Sequence, residues 1–186
     1  MTALSALWLP ILLSAVAVFI VSSVIHMMSP WHKSDFSRLS NEDGVMDALR
    51  PFAIAPGEYM MPRPSSAQDM KSAEYLGKRA RGPVAMMTVF PSGTVGMGKM
   101  LVQWFGYLLV VSLLAAVVSS AAVGATPSDH RIFHFAGVTA FTAYAVAQWP
   151  LSIWYGRRWS TTIKVTVDGL IYALLTAAIF AWMWPR

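Results

Sequence analysis

Cysteine is absent from the 186 residues of this chain. That excludes disulfides, thiolate metal sites, iron–sulfur ligation and cysteine nucleophiles. Charge is also scarce. Asp, Glu, Lys and Arg together make up 12% of the chain, about half the ~25% of an ordinary soluble domain. In their place stand hydrophobic residues, at 56%, with a mean hydropathy of +0.52. That is more apolar side chain than a water-facing globule of this length can bury. A bilayer absorbs the surplus.

Four runs are long and apolar enough to cross a hydrocarbon core of ~30 Å, which takes about 20 helical residues. They cover about 4–25, 101–123, 132–153 and 163–184. Apolar residues occur all round each run, which distinguishes them from the one-striped helices of a soluble core. The first run lacks a basic n-region and exits into HMMSPWHK with no small-residue cleavage site. It therefore reads as an uncleaved span. Pro10 and Pro150 are placed to kink the first and third spans.

Orientation follows from Lys and Arg. With four spans, Lys33, Arg38, Lys99, Arg157, Arg158 and Lys164 lie on one side, and Arg131 and Arg186 on the other. The positive-inside rule then puts the large loop in the cytoplasm and both termini in the periplasm. The net charge of +5 reads as topology and contact with anionic headgroups, not as a nucleic-acid surface.

The loop, about 29–98, is the one sizeable polar region. Between Met27 and Lys99 lie seven of the nine acids and nine of the fourteen Lys and Arg. One short helix is predicted after a Ser40 or Asn41 cap, ending near Arg50 before Pro51. A second is predicted from about Ser66 to the Gly82-Pro83 stop. The stretches FAIAPGEYMMP and PVAMMTVFP are extended in character and suited to pair as a small β-hairpin. The fold class is therefore an all-α membrane protein. One membrane domain spans 1–186, with four transmembrane helices and a cytoplasmic loop carrying short helices and a small hairpin.

Several residues invite chemistry. Asp168 lies inside span four, where an ionisable group is costly and faces a bundle interior or a watery cavity. Lys164 precedes it by one helical turn and is placed to reach it. His26 belongs to the same leaflet, and Gln148 adds a hydrogen-bonding group. Asp168, Lys164, His26 and Gln148 thus form a candidate ion or proton relay, against the simpler alternative of a buried pair that locks packing. Asp129, His130 and His134 form a second candidate, since histidines four apart on a helix can share a metal. Here the simpler alternative is interfacial histidines near the headgroups. His26 and His134 fall at opposite faces, so they do not bracket one haem.

GTVGMGKM, Gly93–Met100, fits the G-x-x-x-x-G-K spacing. Met100 stands where the magnesium-binding hydroxyl would be, and no βαβ series surrounds the motif, so nucleotide binding is not expected. Ten of the twelve methionines fall between Met27 and Met100, including three adjacent pairs. Adjacent thioethers are poorly spaced for copper(I), and they suit a pliable contact surface instead.

At PWHKSDF, PGEYMMPRP, GPVAMMTVFP and SIWYGRRWSTTIKVTVDGLIYAL the chain resembles a family of small uncharacterised bacterial integral-membrane proteins. The resemblance implies a bacterial inner-membrane setting. It implies no activity and no site residues.

No triad, paired carboxylates or dinucleotide fingerprint is present, and no cofactor is predicted. The leading expectation is a non-enzymatic accessory, assembly or scaffold subunit. Its partners would be the bilayer and either a protein or further copies of itself, with no nucleic acid. The rival is a small oligomeric transporter or channel using Asp168 and His26. A metal-binding membrane enzyme is the third. One observation separates the first two: if Asp168, His26 and Gln148 face one cavity, transport gains.

Overall fold

The computed structural model describes residues 3–94, 96–124 and 128–185. Among them run seven α-helices and two strands. In chain order these are α1 (Trp8–Ser23), α2 (Glu42–Leu49), β1 (Gly57–Met61), α3 (Ala73–Arg81), β2 (Ala85–Val89), α4 (Met97–Ala122), α5 (Asp129–Tyr144), α6 (Trp149–Tyr155) and α7 (Trp159–Met183). The chain divides into two compact units, Met1–Ser37 with Gly96–Arg186, and Arg38–Val95.

In the first unit, three helical stretches are long and apolar enough to cross a membrane: Leu4–Met28, Met97–Ala122 and Trp159–Met183. The first joins a 3₁₀ turn at Leu4–Leu7, α1, and a closing π turn at Val24–Met28. Large apolar side chains cover the outside of these helices. Ile20, Val110 and Ile163 are each more than half exposed, as lipid-facing positions are.

Inside, the contacts are small. Ala115, Ala116, Ala136 and Phe180 pack with Leu7 and Ile132 in one cluster, and Ala15, Val18, Leu108 and Ala140 with Tyr144 and Tyr172 in another. Small side chains let helices approach closely, which is how membrane helices gain packing when burial from water contributes little. A Cβ placed on Gly137 would lie 3.1 Å from the Ala177 methyl. α5 therefore runs close against α7 at that point.

The expected third span, 132–153, is not one continuous helix. α5 stops at Tyr144. Ala145 is bent away from ideal helical angles at φ −110 and ψ −62, a 3₁₀ turn covers Val146–Gln148, and α6 restarts at Trp149. Pro150 supplies the reason. It has no N–H for the Val146 carbonyl, and its ring crowds that carbonyl, so it is tolerated only in the first turn of a new helix. The break is held from three sides. The Tyr107 hydroxyl donates to the Ala143 carbonyl at 3.0 Å, replacing a bond lost at the helix end. The Trp149 indole N–H donates to Thr166 Oγ1 at 3.0 Å. Gly169 of α7 lies so near Ala145 that an added Cβ would meet its methyl at 2.8 Å.

The second unit holds the hairpin. β1 and β2 pair antiparallel in the register Gly57↔Val89, Tyr59↔Met87 and Met61↔Ala85, joining the two extended stretches expected to pair. α2 is capped by Asn41, whose side chain accepts from the Gly44 N–H at 3.1 Å. α3 begins later than expected. Its cap is Ser72, which accepts from the Tyr75 N–H at 3.1 Å. The residues from Ser66 form a turn because Asp69 draws the Ser65 N–H and hydroxyl to itself at 2.8 and 3.0 Å. Such local side-chain bonds compete with helix formation. They also hold the Asp69 carboxyl below the ordinary carboxylate range, the Ser65 backbone N–H first and the Ser72 hydroxyl next.

Candidate functional site

The π turn at the end of α1 opens the site. Its wide ring is closed by the Ser29 N–H donating to the Val24 carbonyl at 3.2 Å. Such turns place side chains off the regular helical face and are frequent at functional sites. Here the turn carries His26. Pro30 then ends the helix, and two tight turns follow, with the Lys33 N–H on the Pro30 carbonyl and the Asp35 N–H on the His32 carbonyl, both at 3.1 Å. These turns present Trp31, His32 and Asp35 to α7.

Asp168, in α7, is 3% exposed. Its Oδ1 accepts from the Trp31 indole N–H at 3.1 Å, and its Oδ2 lies 2.8 Å from His32 Nε2. The other nitrogen of His32, Nδ1, lies 2.7 Å from Asp35 Oδ2. The Lys164 ammonium donates to Asp35 Oδ1 at 3.0 Å and to the Ser34 hydroxyl at 2.8 Å. A chain of contacts thus runs Lys164–Asp35–His32–Asp168–Trp31. Burial pushes the Asp35 carboxyl up, but the hydrogen bonds from His32 and Lys164 outweigh it and hold the group below its ordinary range.

The imidazole of His32 sits between two carboxylates. A neutral ring has one N–H and therefore one donor. If Asp35 takes it at Nδ1, the Nε2 lone pair faces the Asp168 carboxylate, and two electron-rich atoms meet at 2.8 Å. A positive centre is needed between them, either a proton or a metal ion. The His26 ring lies against His32, with centroids 4.3 Å apart. One ligand atom each from His26, His32 and Asp168 falls within 4.8 Å of the others, the one group of three such donors to converge among the described residues.

Beside this cluster is a cavity of 190 Å³ whose walls include His26, Gln148, Arg157 and Asp168. Tyr144 and Tyr172 line it as well, with Trp104, Tyr107 and Val165. Both tyrosines are buried, and neither hydroxyl has a hydrogen-bond partner among the described residues. A buried hydroxyl left unpaired costs about 1–3 kcal/mol.

Three of the expected relay residues share one cavity, and Lys164 is joined to Asp168 only through Asp35 and His32. Asp168, His26 and Gln148 line one cavity. Lys164, expected to reach Asp168 along its own helix, turns instead to Asp35 and Ser34. His130 and His134 stack at exposed positions, with centroids 6.4 Å apart and rings 12° from parallel. With Asp129 they lie apart from the converging donor group. The G-x-x-x-x-G-K stretch includes Val95, and the orientation argument includes Arg186; both lie outside the described residues.

Trp31, His32 and Asp35 were missing from the sequence-based site. The available signal was W-H-x-x-D directly after a span, at the same membrane face as Asp168 in the expected topology. No protein-family model matches this chain, and no curated protein or solved structure does either.

Proposed function

We propose that the chain is a small membrane transporter that works as an oligomer and moves a cation through the cavity shared by His26, Gln148 and Asp168. That shared cavity is the observation that carries the reading. A second feature supports it. In this reading α5 and α6 together make a third crossing in two pieces, giving four crossings in all. The chain is a multi-pass protein of the bacterial inner membrane, with both termini periplasmic and the loop cytoplasmic. Irregular backbone at membrane depth is tolerated where it is buried in protein or lines a cavity, and transporters bind substrate at such breaks. Tyr144 and Gln148, on either side of Ala145, are cavity residues.

Proteoliposomes test this directly. Wild-type protein should carry at least one of K⁺, Na⁺ or Zn²⁺ down its gradient, read with lumenal indicators. Asp168→Asn should cut the flux at least tenfold while co-eluting with the wild type as an assembled oligomer. Undiminished flux through an assembled Asp168→Asn variant, or none through the wild type, rejects the reading.

A second reading has its own support. In the Arg38–Val95 unit, Tyr75 is the one buried hydrophobic residue among those described, while Phe52, Met70, Leu76 and Phe90 are each at least half exposed. Apolar surface of this kind suits a contact face for a partner protein or a second copy. We propose on that ground an accessory or scaffold role for the loop, which is compatible with transport. Purification from native membranes in mild detergent should retain a stoichiometric partner or a homo-oligomer. A clean monomer counts against both readings.

A further inference from the structure

We infer that His26, His32 and Asp168 bind one divalent transition-metal cation of zinc-like character, with Asp35 as the residue that positions His32. As the identity of the cation carried, this rests on the transport reading. As a binding site, it stands on the donor geometry alone.

The neighbours of His32 and Asp168 narrow what can sit between them. A proton needs two acceptors and no more. Here a third donor, His26, has converged on the same point, within 4.8 Å of the other two. Three donors suit a metal. A tetrahedral ion with bonds of about 2.0–2.2 Å asks for donor separations of roughly 3.3 Å. His32 Nε2 and Asp168 Oδ2 are already 2.8 Å apart. Metal entry therefore asks this pair to open by about 0.5 Å and His26 to move in. That residue is exposed and sits on a π turn, so its ring has room to swing.

The support around the donors follows the pattern of metal sites. A ligating imidazole usually donates its second N–H to a carboxylate, which fixes the tautomer and raises the ring's basicity. Asp35 stands 2.7 Å from His32 Nδ1, and Lys164 in turn holds Asp35. With Nδ1 carrying the proton, Nε2 is left to ligate. Lys164 also offsets the charge of Asp35, so the anion facing the ion is Asp168. Three protein donors leave one position of a tetrahedron open toward the cavity, which is what an exchanging site needs and a structural site lacks. Tyr144 and Tyr172 line that same cavity with their rings, their hydroxyls being enclosed. Arg157 on the wall is the one opposing charge.

The donor set selects the cation class. Two imidazoles and one carboxylate favour borderline ions such as Zn²⁺ and Co²⁺. Hard Mg²⁺ and Ca²⁺ prefer oxygen ligands, and Cu⁺ prefers sulfur ligands, which these three donors do not supply.

Co²⁺ is the probe, titrated into the purified full chain in detergent and followed by its visible d–d bands. One Co²⁺ per chain should give the intense bands of four-coordinate geometry, and Zn²⁺ should displace it. His26→Gln alters an exposed side chain and should leave the fold intact while weakening binding at least 100-fold. Asp168→Asn should do the same. Asp35→Asn should weaken binding by about 10–100-fold with band shape kept, since it changes orientation and not ligation. A His130→Gln/His134→Gln double variant should bind as wild type.

The inference is overturned by a wild type without these bands, by His26→Gln binding at full affinity, or by bands lost in the double variant. Transport is tested apart from this. Flux of K⁺ or Na⁺ without Co²⁺ binding rejects the metal and keeps the transporter. Co²⁺ binding without flux of any cation keeps the site and rejects the transporter.

Discussion

Gly169 shows how much one missing methyl group decides. Ala145 sits where α5 ends, and α7 passes it so closely that only a glycine fits at 169. Gly169→Ala should therefore destabilise the unit by about 1–3 kcal/mol through overpacking. A thermal melt of the detergent-solubilised protein should show the transition lowered. Gly106, in α4, is the contrast, because a Cβ there meets nothing within 4 Å. Gly106→Ala should leave the melt unchanged or raise it, since alanine is favoured over glycine in a helix by roughly 0.5–1 kcal/mol. Trp31 matters by a single N–H. Trp31→Phe keeps an aromatic ring but leaves Oδ1 of buried Asp168 without its donor. A loss of about 1.5–3 kcal/mol is expected for a hydrogen bond to a charged group, measured in the same melt. Asp168 itself was legible in the sequence, because one acid stands out in an apolar run. Its partners Trp31 and His32 were not, since 137 and 136 positions separate them from it.

At the scale of elements, the ends carry the information. α3 is held at its start by Ser72, and Ser72→Ala should cost about 0.5–2 kcal/mol of local helix stability. Hydrogen exchange of amides 73–81 in the full chain should speed up accordingly. The turn before it depends on an ionised Asp69. Because folding lowers that pKa, its contribution is present above the unfolded value of about 3.9. It is lost as the pH falls through the lower folded value. An NMR titration of the Asp69 carboxyl should therefore show a midpoint below 3.9, and Ser65→Ala should move it back up.

The short helices and the hairpin could be read locally, from caps, prolines and β-rich stretches. The late start of α3 could not, because Asp69, Ser66 and Ser72 each accept a different backbone N–H, from Ser65, Asp69 and Tyr75. The third apolar run was legible as apolar. Its division into α5 and α6 was foreshadowed by Pro150 but placed by Gly169 and Tyr107, which come from other helices.

For the molecule as a whole, the absence of cysteine makes the proposed topology straightforward to test. Single substitutions can be labelled with no background. Ser92→Cys and Ser160→Cys, both at exposed positions, should react with an impermeant thiol reagent only when the cytoplasmic face is open, and Ala3→Cys only from the periplasm. Labelling of Ser92→Cys and Ser160→Cys from opposite faces would remove the four-crossing arrangement.

By itself the sequence determined that three stretches form helices able to cross a bilayer. That property needs only length, hydropathy and the backbone's demand for hydrogen bonds where water is absent. It also determined that Asp168 is out of place in one of them. Only the tertiary structure decided what Asp168 meets. The π turn at Val24–Met28 and the tight turns after Pro30 bring His26, His32 and Asp35 to it. Their positions depend on how helices distant in sequence pack, and no local pattern encodes that.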